Sequence, residues 1–161
     1  MLESFAERIG EAIINYQMTP VETIIVGADD SGSHIYKLFG NAPICCDLIG
    51  FAAIGSGSTH AESQFMLNGY SRVVPQEEAL WLTYMAKRKA EVAPGVGKIT
   101  DLFCISQQDR AFKSLNELTE KLNFGAIYDE FTNKQNRAYQ EAQGKVKPLL
   151  ETMKSLPSPK N

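Results

Sequence analysis

Few side chains in this sequence have chemistry to offer. His34 and His60 are its two histidines, so any Ser–His–Asp relay must use one of them. His34 falls on an expected hairpin strand and His60 in the first turn of an expected helix. Each reads as a surface or hydrogen-bonded histidine rather than a general base. Two histidines among scattered acids make no metal constellation. Cys45, Cys46 and Cys104 are odd in number and lack metal-ligand spacing, which fits reduced thiols and a cytoplasmic setting. Cys45 and Cys46 are expected on opposite faces of one strand, where a vicinal disulfide would be strained. Glu77 and Glu78 are adjacent and point apart on a helix, so they serve its N-terminus rather than paired acid–base work. Gly55-Ser56-Gly57-Ser58 gathers backbone N–H groups where a strand meets a helix. Such a turn either cradles an anion or is a tight junction with a hydroxyl cap. It is neither a dinucleotide fingerprint nor a P-loop, and Ile54 stands where a nucleophile elbow needs glycine.

Periodicity gives the elements that must position these residues. Leu2, Phe5, Ile9, Ile13 and Tyr16 recur at helical spacing, predicting an amphipathic helix over 2–17 that Thr19-Pro20 ends. Glu22 to Ala28 is β-branched and apolar, a strand buried on both faces. Asp29-Asp30-Ser31-Gly32 turns the chain into a return strand from Ser33 to Phe39. Two more short strands are expected over Pro43 to Ile49 and Gly50 to Ile54. Thr59-x-x-Glu62 has the spacing of a capping box, opening a helix that runs to Asn68-Gly69. Pro75 starts the next helix, which carries Lys87, Arg88 and Lys89 near its end and stripes through Leu80 and Tyr84 and through Trp81 and Met85. Ile99 to Ser106 reads as a strand, Gln107 to Arg110 as a turn, and a helix follows from about Ser114. Its pattern turns polar beyond Thr132.

The 161 residues are enough for one domain that buries about two-thirds of its extended surface. Hydrophobic residues make up 43% and charged residues 22%, the balance of a globular protein. No apolar run reaches membrane-spanning length, and the acidic, amphipathic N-terminus is unlike a secretory signal. A net charge of -3 argues against a nucleic-acid partner. Residues 1–50 hold two basic against seven acidic residues, whereas 126–161 hold six basic against four. These read as solvated faces. From the residues alone, the expectation is an α/β protein with an antiparallel sheet.

Three stretches resemble the C-terminal portion of a proteasome β-type (Ntn-hydrolase) subunit. Ile24 to Tyr36 looks like the family's hairpin with its Gly-x-Asp-Asp-x-Gly turn. Ile54 to Tyr70 is similar to its Gly-Ser-Gly-Ser turn and the helix that follows. Pro75 to Ile105 is similar to its next helix, glycine-containing loop and strand, and Val92 to Asp101 looks closest to bacterial and phage proteasome-like proteins. The resemblance covers roughly residues 5–106. It implies an α+β fold, an αββα sandwich with a mostly antiparallel sheet, here apparently incomplete. It divides the chain into a partial proteasome-like domain over 1–113, a C-terminal helical extension over 114–155 and a disordered tail over 156–161.

The family's chemistry needs a terminal threonine whose hydroxyl attacks and whose amine acts as base, with an Asp and a Lys on early strands. No such nucleophile is matched here, and Ser56 alone corresponds to an auxiliary active-site residue. Glu91 to Gly97 lacks the family's later Asp and Ser. The expectation is a family member inactive alone, whose complete parent would be a threonine-type peptidase or amidohydrolase. Two alternatives stand beside it: a non-catalytic assembly subunit of a proteasome-like oligomer, and an unrelated small α/β anion-binding protein. No metal or cofactor is implied. The expected partners are further copies or a missing N-terminal segment, with peptide as substrate only after completion, and neither nucleic acid nor membrane.

Overall fold

The computed structural model describes residues 21–40, 42–106, 108 and 110–154. The helix expected over 2–17 and the tail over 156–161 lie outside them. The described residues form β1 (Glu22–Asp29), β2 (Gly32–Phe39), β3 (Ala42–Cys45), α1 (Ser58–Leu67), α2 (Gln76–Ala90), β4 (Phe103–Ile105), β5 (Phe112–Ser114), α3 (Asn116–Lys121) and α4 (Phe124–Lys154). The fold is mixed α+β with small antiparallel sheets. It divides into two compact units, one reaching Thr100 with 105–111 added, the other made of 101–104 and the chain from Phe112 onward.

In the first unit the strands lie in the order β1-β2-β3, each pair antiparallel. Thr23, Ile24, Ile25 and Val26 favour extended backbone because their branched or bulky side chains fit a pleated surface. The hairpin loop is only Asp30-Ser31, since Asp29 pairs with Gly32. Asp29 stabilises this loop by accepting the Ser31 N–H at 2.7 Å, and Gly32 takes φ +136, which side chains rarely adopt.

β3 is shorter than the strand expected to Ile49, and the chain over 50–54 is not a strand. The Cys46 N–H still continues the ladder to the Ile35 carbonyl at 2.8 Å. The Ile35 N–H, however, goes to the Asp47 carboxylate at 2.8 Å, so a side chain replaces the next backbone rung. Gly50 then turns through φ +77. Over 51–55 the N–H groups of Ala53 and Gly55 are taken by the Glu62 and Glu22 carboxylates. Carboxylates thus satisfy backbone that a neighbouring strand would otherwise have paired.

The expectation that β1 is buried on both faces does not hold: Thr23 and Ile25 are exposed on one face and Val26 on the other, where Phe39 and Ile44 are exposed too. Lys37 on one face reaches Glu62 of α1 at 3.4 Å. The register places Thr23, Ile25, Tyr36, Pro43 and Cys45 on the opposite face, and all five are exposed. Cys46 is buried while Cys45 is exposed, in keeping with opposite-facing neighbours.

α1 begins at Ser58, with Gly57 as its N-cap and no side-chain cap. The expected capping box therefore does not form: Thr59 already lies inside the helix, and Glu62 turns to Lys37 and the Ala53 N–H instead. Phe65 is 7% exposed and stacks on Phe51 at 4.8 Å, with Tyr70 edge-on at 5.2 Å. In α2 Tyr84 and Met85 of the expected stripes are buried, together with Leu82, Ala86 and Ala90, while Leu80 and Trp81 are only half-buried. The small Ala90 lets the chain at Gly57 come close.

In the second unit Asn116 binds both sides of the chain near β4. Its Oδ1 accepts the Leu102 N–H and its Nδ2 donates to Asp101, each at 2.7 Å. Phe103 stacks on Phe112 across the β4–β5 hairpin at 4.7 Å. The single helix expected from Ser114 is two. Asn123 adopts φ 52, which ends α3, and its Oδ1 then accepts the Ala126 N–H in the first turn of α4. The polar stretch beyond Thr132 stays helical, with Glu130 and Lys134 paired one turn apart at 2.7 Å.

Truncating the centre of the aromatic cluster tests this core. Phe65→Ala should cost about 3–5 kcal/mol, the range for emptying a buried aromatic site. Urea melts measure it, and a loss below about 1 kcal/mol would contradict the packing.

Candidate functional site

A cluster of polar side chains sits at the turn end of the open sheet face. His34 lies on β2, between the hairpin loop and the turn that follows β3. Its Nδ1 meets Asp47 Oδ2 at 2.7 Å. Its Nε2 faces Ser31 Oγ at 3.0 Å and Asp29 Oδ1 at 3.1 Å. The imidazole also stacks on Tyr36 at 6.4 Å. Hairpin register brings Asp29 and His34 to one face, because Asp29 pairs with Gly32 and His34 pairs with Gly27. Asp47 arrives through the turn after β3.

The Ser31–His34–Asp47 distances are those of a nucleophilic relay, but Asp29 alters the chemistry. A relay needs a neutral Nε2 with a free lone pair to take the serine proton. Here the Ser31 hydroxyl donates to Asp29 at 2.7 Å instead. Nε2 faces a carboxylate and a hydroxyl oxygen, both of which accept, so it is best occupied by a proton. Hydrogen bonds donated to Asp47 and then to Asp29 raise the His34 pKa above its ordinary value. Asp29 is held far below the usual carboxylate range, chiefly by the Ser31 hydroxyl and N–H and then by His34. Asp47 is also lowered, first by the Ile35 N–H and then by His34. The arrangement is a charged clamp that ties the hairpin loop to the turn after β3. It leaves no base for Ser31.

The Gly55–Ser58 turn is a second candidate, and it is filled by the protein itself. Gly55 has φ +83, and its N–H donates to Glu22 Oε2 at 2.7 Å. The anion held at this turn is therefore a carboxylate from β1. Ser56 Oγ donates to the Pro94 carbonyl at 2.9 Å, so the hydroxyl joins the turn to the loop after α2. A Cβ on Gly57 would stand 2.7 Å from Ala90 Cβ and 2.9 Å from the Ala90 carbonyl oxygen. Gly57 has an ordinary φ of -92, so it is required by space and not by conformation. Ser56 takes no part in the His34 cluster. His60 is exposed on α1.

Among the described residues no group of three or more His, Cys, Asp or Glu could hold a metal ion. No helix of the described residues is long and apolar enough to cross a membrane. Sequence reasoning missed the clamp. The tight hairpin turn was the signal available for Asp29 and His34, whereas nothing local marked Asp47 as their partner. No protein-family model, curated protein or solved structure matches the chain.

Two expectations follow from this geometry. At the turn, Ser56→Ala should cost under about 1.5 kcal/mol, the range of one neutral hydrogen bond. Gly57→Val should cost more than Ser56→Ala, about 1–3 kcal/mol or above, through overpacking against Ala90. Denaturant melts rank the two, and equal costs would contradict the assignment. The clamp predicts a pH signature. A raised His34 pKa adds stability that is fully present below about pH 6.5 and lost as pH rises through the folded value. The lowered Asp29 and Asp47 values add stability that is present above about pH 4 and lost as pH falls. Thermal melts should show the wild type losing stability from pH 6 to 9, with His34→Gln flattening that limb. Parallel losses in both proteins would rule out the clamp.

Proposed function

We propose that this chain is a proteasome-like Ntn-hydrolase family protein whose described residues form the helix-backed side of the family's αββα sandwich. One observation carries the reading. The three-stranded sheet has α1 reaching one face through Glu62 and an exposed row of Thr23, Ile25, Tyr36, Pro43 and Cys45 on the other. In a sandwich that second face is where the other sheet packs. The Gly55–Ser58 turn and the loop after α2 also meet, through Ser56 and Pro94.

The role proposed for these residues is scaffolding rather than turnover. Threonine-type acyl transfer needs a nucleophile and a base within hydrogen-bond reach. Ser56 is committed to a backbone carbonyl, and His34, which lies beside Ser31, is clamped by two carboxylates. Peptide cleavage then belongs to an assembly in which further strands cover the open face.

Light scattering and a peptidase assay on residues 1–161 test this together. The expected result is concentration-dependent self-association that Ile25→Asp weakens, with no turnover of fluorogenic peptides. Ile25 is 52% exposed, so a charge there should not unfold the chain. A clean monomer at high concentration would count against the open face as a packing surface. Turnover blocked by a threonine-directed inhibitor would overturn the scaffolding role.

A further inference from the structure

We propose that Arg72 and Tyr70 form the head of a binding site for a small carboxylate that carries a hydrocarbon group. Two clefts meet at these residues. One, of about 450 Å³, is lined by polar groups that include Ser33 and Asp47. The other, of about 460 Å³, is lined by Leu48, Ile49, Phe51 and Met66. Tyr70 and Arg72 line both. A ligand bridging the clefts at this point must be polar at one end and apolar at the other.

The charges select the sign of the polar end. Asp47 is neutralised by His34 and by the Ile35 N–H. Glu62, in the apolar cleft, is taken by Lys37 and the Ala53 N–H. Arg72 has no hydrogen bond or ion pair among the described residues, so its guanidinium is the charge in the two clefts left without a partner. A planar fork of N–H donors matches a carboxylate in bidentate fashion. One guanidinium balances one negative charge. A phosphate dianion would keep excess charge beside Asp47 and Glu62, which disfavours it.

Tyr70 is held in place, and the base of the exposed Arg72 side chain lies beside it. A Cβ on Gly50 would lie 2.9 Å from Arg72 Cγ and 3.2 Å from Tyr70 Cε1, so both side chains rest against bare backbone. The Tyr70 ring is fixed edge-on to Phe51 at 5.8 Å and Phe65 at 5.2 Å. Leu48 is 93% exposed and Met66 64% exposed, leaving apolar surface that a hydrocarbon tail would cover.

Calorimetric titration with octanoate tests the proposal, with butyrate, octylammonium and inorganic phosphate as comparisons. Octanoate should bind saturably, and each of the other three about tenfold more weakly or not at all. Arg72→Gln should lose about tenfold in octanoate affinity with an unchanged circular dichroism spectrum. Should that variant misfold, Arg72→Lys, which keeps the charge but loses the fork, should still bind several-fold more weakly. Equal binding of octanoate and octylammonium, undiminished binding by a folded Arg72 variant, or no saturable octanoate binding would each overturn it. A peptide free acid with an apolar last residue that binds more than about tenfold tighter than octanoate would replace the small ligand with a peptide C-terminus.

Discussion

Glu22 at the start of β1 accepts the Gly55 N–H at 2.7 Å, across 33 residues of chain. The arrangement of the first unit depends on the turn held by that contact. Gly57 lies against Ala90 so closely that a single added carbon would collide, and Ser56 donates to Pro94. One four-residue turn is therefore fixed to the first strand, to the end of α2 and to the loop beyond it. The burial of Ala90 follows from the same seam, since only a small side chain allows that approach. Carboxylates at Glu22, Asp47 and Glu62 each take backbone N–H groups that no strand pairs. Glu22 and Asp47, both among the acidic first fifty residues, thus act as structural acceptors rather than as a solvated face.

The His34 cluster shows how a fourth group decides what three can do. Ser31, His34 and Asp47 alone have the spacing of a relay. Asp29 takes the serine hydroxyl and faces the same imidazole nitrogen, and the site becomes a clamp. It lies on the open face of the sheet, at the end nearest the hairpin loop. A second layer packed on that face would therefore meet a charged, hydrogen-bonded rim beside an apolar row of Ile25 and Tyr36. Apolar surface of this kind marks interaction sites.

Much of this was legible from local signals. The β-branched run in β1, the Asp-Asp-Ser-Gly turn, the acids and bases at the two ends of α2 and the opposite orientations of Cys45 and Cys46 all depend on neighbours in sequence. The errors came where a distant group competed with a local one. Glu62 had capping-box spacing, but Lys37 and the Ala53 N–H drew its carboxylate to the sheet side. The strand expected to Ile49 stopped at Cys45 because Asp47 took the next rung of the ladder. Asn123 broke the expected helix by adopting a left-handed conformation, a choice asparagine allows but does not demand. The close approach of Gly57 to Ala90 spans 33 residues and has no local trace in the sequence. The clamp was half visible, since hairpin register joins Asp29 to His34 while Asp47 comes by tertiary folding.

The face of the sheet that carries Thr23, Ile25, Tyr36, Pro43 and Cys45 is the one we assign to a second layer. Cys45 and Cys46 report on the two sides directly. Timed alkylation of the native protein, read by mass spectrometry, should modify Cys45 rapidly in dilute solution and more slowly as the concentration rises. Cys46 should react only at the rate of unfolding at every concentration. Equal rates for the two thiols in the folded protein would contradict the account.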